Sequence, residues 1–304
     1  MRFNNPDEAS LYLEVITANI FDVYNELYEY ASAALCEQGA LDDLDDDHEI
    51  CFVRATIRTK SLDKPLAKAV EESRLSLHTW AEAFKKVPRT HSNHLSHMTA
   101  QIFFFCVWIW NATWHDANAC LVDRFESQFD YFTSLCEQYL DLHIAKTPHY
   151  SVFAGSKDEH TTRFATPPAF SLGSGVVTCL AAIVEKCRTS SIRHRCIALV
   201  RKINLRGVFD TEYLAVYLQT IVNHEEQTAR RLSPDCSAEV GLRASDVPEE
   251  ARLLEVVMSP SRHRSRFDFY KTNRVNAIYM VDRGGLQFGR LTAPVTRGVR
   301  RQQG

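Results

Sequence analysis

Residues 102–110 read IFFFCVWIW, and the longer stretch 94–114 is apolar on nearly every face that a helix would present. A helix at the surface of a globular protein keeps one polar face, so this one has to be enclosed by others. A bilayer is no alternative, because nine apolar residues are about half of the roughly 18 that a membrane-spanning helix needs. The chain must therefore supply further amphipathic elements to wrap this segment. With 304 residues, 45% of them hydrophobic, it has material for one large domain or two closely packed ones.

The wrapping elements are legible as helices. Residues 6–38 open with Asn4 or Asn5 as a cap, place Pro6, Asp7 and Glu8 in the first turn, and stop at Gly39, which are helix start and stop signals. An acidic break, LDDLDDDHE at 41–49, follows, and 52–87 reads as two helices divided near Pro65. Residues 88–93 form a polar loop ahead of the enclosed helix. The clearest period comes next: Phe125, Phe129, Phe132, Cys136 and Tyr139 recur at spacings of four, three, four and three, with Asp123, Glu126, Gln128 and Glu137 on other faces. Pro148, Gly155, Pro167 and Pro168 then punctuate a polar stretch that reads as a linker or long surface loop. Helical patterns resume over 175–186, 191–203 and 211–228.

From Ser233 onward the helical period fades, and 253–258, 267–270 and 277–281 are short β-prone runs between polar turns. Residues 262–304 are rich in arginine and poor in acids, the composition of a loosely ordered basic tail. The expectation is an all-α fold, a multi-helix array with a small irregular, β-containing C-terminal segment. Its organisation is an N-terminal helical half at 1–142, a linker or long loop at 143–168, a C-terminal helical half at 169–232, and an irregular β segment with the basic tail at 233–304.

Composition excludes several function classes. A formal net charge of -3 and a pI near 6.5 give no global basic field with which to hold a phosphate backbone. The nine cysteines stand singly, with no C-x-x-C pair, so neither a disulfide framework nor a zinc ribbon is expected. The start MRFNNPDEAS has neither a basic-then-apolar signal segment nor an arginine-rich transit composition, which places the chain in the cytosol or nucleus.

The tempting local motifs dissolve on inspection. Asp43, Asp45 and Asp47 alternate as in a calcium loop, but His48 stands where the sharp turn needs glycine and Arg54 where the bidentate glutamate belongs. Asp42, Asp43 and Asp46 match a D-D-x-x-D magnesium spacing, yet NHEEQTARR at 223–231 lacks the full second motif, so a solvated acidic loop is the better reading. His91 and His97 diverge by about 120° around a helix axis and, with His94, read as polar residues at a helix start. His224-Glu225-Glu226-Gln227-Thr228 lacks the second zincin histidine. Gly173-Ser174-Gly175 lacks the third glycine of a dinucleotide fingerprint and a preceding strand. No catalytic, cofactor-binding or metal-binding residue is therefore assigned, and no cofactor is expected.

Other strings point elsewhere. In order, they are Phe170-Ser171-Leu172, Lys186-Cys187-Arg188, Ser191-Ile192-Arg193-His194-Arg195-Cys196-Ile197-Ala198-Leu199, Arg206-Gly207-Val208-Phe209-Asp210 and Glu225-Glu226. Trp80 with Phe84, Phe129-Asp130 with Phe132, and Pro248-Glu249-Glu250-Ala251-Arg252 extend the set. Together they resemble the C-terminal regulatory region of fungal zinc-cluster transcription factors, over roughly residues 3–270. Phe209 stands where that family has tryptophan, and Arg206 where it has glutamate. The six-cysteine zinc cluster of the family, with its two C-x-x-C pairs, should lie upstream of a region like this one.

The resemblance implies a helical regulator in the nucleus, acting on a fungal pathway such as secondary metabolism through a homodimeric or heterodimeric DNA-binding partner, or by sensing a small-molecule ligand. Direct DNA binding is not expected of such a region alone, and no membrane association is. The residues themselves read structurally: Lys186 and Arg188 complement a helix dipole at its C-terminal end, and Asp210 is placed to cap the next helix. An alternative is a helical enzyme of the same ancestry, of cyclase or isomerase type, acting on a small apolar metabolite. Phe103, Phe104, Phe105, Trp108, Trp110 and Trp114 could line its pocket.

Overall fold

The computed structural model describes residues 1–42, 44, 46–59, 62–114, 119–146, 175–203, 211–233, 241–258, 267–272 and 278–281. The fold is all-α, with a small sheet after the last helix. Helix α1 (Pro6–Glu37) starts where the sequence signals place it. The Asn5 side chain accepts from the Glu8 amide at 2.8 Å, and the Glu8 carboxylate accepts from the Asn4 amide at 2.7 Å, so two amides without helical partners are satisfied. The helix ends at Gly39, whose φ of 64° is the left-handed conformation that a side chain disfavours.

Helix α2 (Asp46–Thr59) begins earlier than the apolar pattern suggests. The second half of the acidic run, expected to be a solvated break, forms its first turn, where carboxylates complement the helix dipole. Helix α3 (Lys64–Phe84) is capped by Asp63, which accepts from the Leu66 amide at 3.0 Å, with Pro65 in the first turn. The enclosed segment is α4 (His94–Thr113). A 3-10 helix, Ala119–Phe125, leads into α5 (Glu126–Lys146). Helices α6 (Gly175–Lys186), α7 (Ser190–Ile203) and α8 (Thr211–Leu232) complete the array.

Helix α4 is apolar all round because it serves two cores. Ala100 and Val107 face Leu13, Ile16 and Ile20 of α1 and Leu77, Trp80 and Phe84 of α3. Met98, Ile102, Phe105 and Ile109 face Phe129 and Cys136 of α5, Leu180 and Ile183 of α6, Cys196 and Ile197 of α7, and Leu218 and Val222 of α8. Helices from both sides of residues 147–174 thus share one core. A third cluster joins the far end of α1 (Leu27, Ala31, Leu35) to Val53 and Ile57 of α2, Val70 of α3 and Trp114. Among the described residues, no helix is long and apolar enough to cross a membrane.

The β-prone runs form an antiparallel meander, β1 (Glu255–Met258), β2 (Phe267–Thr272) and β3 (Ile278–Val281), in the order β1-β2-β3. Strand β1 meets α2, where the Arg58 guanidinium pairs with Glu255 at 2.5 Å and the Cys51 thiol points to the Val256 carbonyl at 3.7 Å. Most of the linker expected at 143–168, Asp210 with its capping role, and the basic tail beyond Val281 lie outside the described residues.

Candidate functional site

Some of the strings quoted above, those at 186–188, 191–199 and 225–226, meet in a buried cluster of charge, while those at 170–172 and 206–210 lie outside the described residues. Helix α6 stops at Lys186, and residues 187–189 turn directly into α7. Arg188, in that turn, donates through Nη1 to the Glu185 and Lys186 carbonyls at 2.8 and 2.5 Å, closing the end of α6. Its Nη2 donates to Glu225 of α8 at 2.9 Å, and Arg193 of α7 brings its Nη2 within 2.8 Å of the other Glu225 oxygen. The Arg193 pair is close without hydrogen-bond alignment; its Nε donates instead to the Val184 carbonyl at 3.0 Å. The Leu253 amide donates to Glu225 at 2.7 Å. Neighbouring Glu226 accepts from Ser190 Oγ at 2.5 Å, and that hydroxyl accepts from the Leu242 amide at 3.1 Å.

Burial alone would raise the Glu225 carboxyl, but the two guanidiniums and the Leu253 amide outweigh it and hold the group down at about 2. A second, partly buried pair stands beside it: Arg252 grips Asp123 with both terminal nitrogens, at 2.7 and 2.6 Å, and donates to the Val247 and Ala244 carbonyls. Lys186 and Arg188 do stand at the end of α6, as expected, and Arg188 closes it through two carbonyls. Its second arm adds what the sequence does not show, a buried clamp to a carboxylate on α8.

One side of this cluster borders a cleft. A cavity of about 390 Å³ is lined by Cys51, Arg54 and Arg58 of α2, Glu185 and Lys186 of α6, Tyr217 and Glu225 of α8, and Glu255 of β1, among others. Burial pushes the Lys186 ammonium down to about 7, with Arg58 adding to the effect. Burial, then the Glu185 carboxylate, pushes the Tyr217 hydroxyl up; it sits 3.3 Å from Glu185. Lys186 is half-buried, and among the described residues no hydrogen bond or ion pair holds its ammonium. A cation kept near neutrality is able to exchange a proton or to receive an anion.

A narrow passage of about 60 Å³ shares Arg58, Lys186 and Arg188 with the cleft, and its other walls include Arg74 and Arg124. Beyond it lies an open groove of about 930 Å³ lined by Leu77, His78, Phe104, Trp108 and Phe125, with Arg74 and Arg124 at the shared mouth. Of the aromatics expected to line a pocket, Phe104 and Trp108 do. Phe105 is instead fully buried in the shared core, Trp110 stacks against Trp114 at 5.8 Å, and Phe103 packs with the α1–α3 cluster.

The remaining motifs resolve as follows. His97, expected to be an ordinary polar residue at a helix start, is 3% exposed, its ring centroid 4.4 Å from that of Phe84, and burial lowers its pKa below the usual 6.5. Glu225 and Glu226 of the HEEQT string are bound to arginine and serine rather than set towards a metal. Among the described residues, no group of three or more His, Cys, Asp or Glu side chains is placed to hold a metal ion. Cys136 and Cys179 lie 3.8 Å apart, and burial pushes the thiol of nearby Cys196 up to about 12, an unreactive state. Lys186, Arg58, Arg74 and Arg124 escape sequence reasoning as a group.

Comparison with family models, with curated proteins and with solved structures finds no match.

Proposed function

We propose that this chain is the helical regulatory body of a transcription-factor-like protein of a fungal pathway, such as one of secondary metabolism. It senses a small molecule and passes the signal in the nucleus to a DNA-binding protein partner, as a homodimer or heterodimer. The observation that carries the sensing role is that Arg188 lines the cleft and also clamps α6 to α8 through Glu225. A ligand that engages this guanidinium acts on the ion cluster joining three helices, and it shifts their arrangement by its differential affinity for the two states. The ordered strings from Trp80 to Arg252 support the regulatory ancestry.

The test is paired transcript and metabolite profiling of a strain in which the gene is deleted. Coordinated loss of several transcripts supports regulation. Unchanged transcripts with one accumulating intermediate would overturn it.

That second outcome belongs to the alternative, a helical enzyme of cyclase or isomerase type. One observation favours it: Lys186, poised near neutral pH, shares its cleft with the Tyr217–Glu185 pair, a combination suited to moving a proton to or from a bound molecule.

A further inference from the structure

The passage between the groove and the cleft has an unusual wall. Its described lining holds five cations, Arg58, Arg74, Arg124, Lys186 and Arg188, and no carboxylate. Acids do stand nearby, but each faces its own partner. Glu255 pairs with Arg58 at 2.5 Å, Glu225 with Arg188 at 2.9 Å, and Glu71 lies 3.5 Å from Arg74 at the outer end. Glu185 sits on the cleft side with Tyr217. Two cations keep spare capacity. The Lys186 ammonium has no hydrogen bond among the described residues, and the Nε of Arg188, which is 3% exposed, has no partner either. An anion at this wall meets the two unused donors without displacing a carboxylate from Arg58, Arg74 or Arg188.

The two ends differ in chemistry. Arg124 is exposed and lies over the Phe125 ring at 4.7 Å, while Arg58, Lys186 and Arg188 stand deeper. On the groove side the lining turns to Phe104, Trp108, Phe125 and Leu77. The groove's volume of about 930 Å³ falls in the range that encloses a drug-sized molecule. The passage, at about 60 Å³, is near the volume of two liquid waters, roughly 30 Å³ each, and admits one small polar group.

We infer that groove and passage form a single ligand site for a flat apolar molecule carrying one anionic oxygen head group, its ring system against Phe104, Trp108 and Phe125 and its head group among Arg124, Lys186 and Arg188. This deepens the sensing reading by naming the ligand class. Planar guanidiniums suit both carboxylate and phosphate oxygens, and the ring faces suit an aromatic body. Burial, and then Arg58, disfavours the charge of Lys186, and a bound anion restores it.

The experiment is calorimetric titration of the full chain with naphthoate, naphthyl phosphate, naphthol and inorganic phosphate. Both aromatic anions are expected to bind, the tighter of them identifying the head group. Naphthol and inorganic phosphate should each bind about tenfold or more weakly than that anion. Arg124→Gln, at an exposed position that does not support the core, should weaken both aromatic anions about fivefold and leave naphthol unchanged. The inference is overturned if naphthol matches the anions, if inorganic phosphate matches naphthyl phosphate, if neither aromatic anion binds at millimolar concentration, or if Arg124→Gln leaves anion affinity intact. Binding is read in vitro and regulation in transcripts, so the two readings fail separately.

Discussion

Arg188 and Glu225 meet at 2.9 Å with 3% and 0% of their side chains exposed, although one follows the end of α6 and the other stands inside α8, 37 residues further on. Such a pair is not in itself a strong stabiliser, since desolvation offsets most of the attraction. Its weight appears when one partner is removed.

Glu225→Gln keeps the shape of the side chain and leaves the Arg188 and Arg193 guanidiniums buried without a carboxylate. The expected loss is about 3–5 kcal/mol of unfolding free energy, measured by denaturant titration. A loss below about 1 kcal/mol would show that the cluster is solvated in solution.

Stability should fall with acid in a defined window. Glu225 titrates at about 2 in the fold against an ordinary value of 4.5, so the unfolded chain takes up its proton first. The contribution is complete above pH 4.5, declines below it, and is gone once the folded carboxyl protonates, a change of a few kcal/mol. His97 acts in the same direction from higher pH. Its neutral, buried ring is held below 6.5, so the unfolded state binds the extra proton as pH drops through that value. Unfolding titrations from pH 7 to pH 3 check this, and Glu225→Gln should flatten the lower part of the curve. An unchanged slope in that variant would assign the acid sensitivity to other groups.

Lys186 should stand apart from the other lysines in competitive acylation read by mass spectrometry across pH. Its reactivity should pass through half-maximum near the pH of about 7 at which it titrates, against about 10.4 for a lysine in water; the exposed Lys68 is the internal comparator. A Lys186 curve superimposed on that of Lys68 would remove the poised ammonium.

Trp80 joins α1, α3 and α4. Its ring stacks on Phe84 at 4.6 Å and on Phe104 at 5.0 Å, and its indole N–H donates to the Ala9 carbonyl at 2.8 Å. Trp80→Ala should cost about 3–5 kcal/mol. Trp80→Phe keeps part of the stacking and removes the indole donor from the Ala9 carbonyl, which retains its helical bond within α1, at about 0.5–1.5 kcal/mol for the lost hydrogen bond. Thermal melts of both variants give the ranking, and a cost near zero for Trp80→Phe would mean that the hydrogen bond contributes little.

Much of the fold is legible in the chain because its signals are local. Asn5, Pro6 and Gly39 delimit α1, the pattern at 175–186 coincides with α6, and the β-prone runs at 253–258, 267–270 and 277–281 overlap the three strands. Cap chemistry and side-chain period act over one or two turns, and a reader of sequence sees that distance. The start of α2 inside an acidic run is harder, since Asp46 and Glu49 suit a solvated loop and a helix N-terminus equally well.

The candidate site is not legible, and the reason is physical. Arg58, Arg74, Arg124, Lys186 and Arg188 come from four places in the chain, and Arg252 meets Asp123 across 129 positions. A lone arginine in sequence reads as solvated, because nothing local states which neighbours will strip its water. The chain by itself determined that an apolar α4 must be wrapped by amphipathic helices, since hydrophobic burial follows residue type and period. Only the tertiary structure decided that Glu225 would be enclosed between two arginines and that an aromatic groove would open onto cations. The energy of a charge depends on its partners and its dielectric surroundings, and folding alone assembles both.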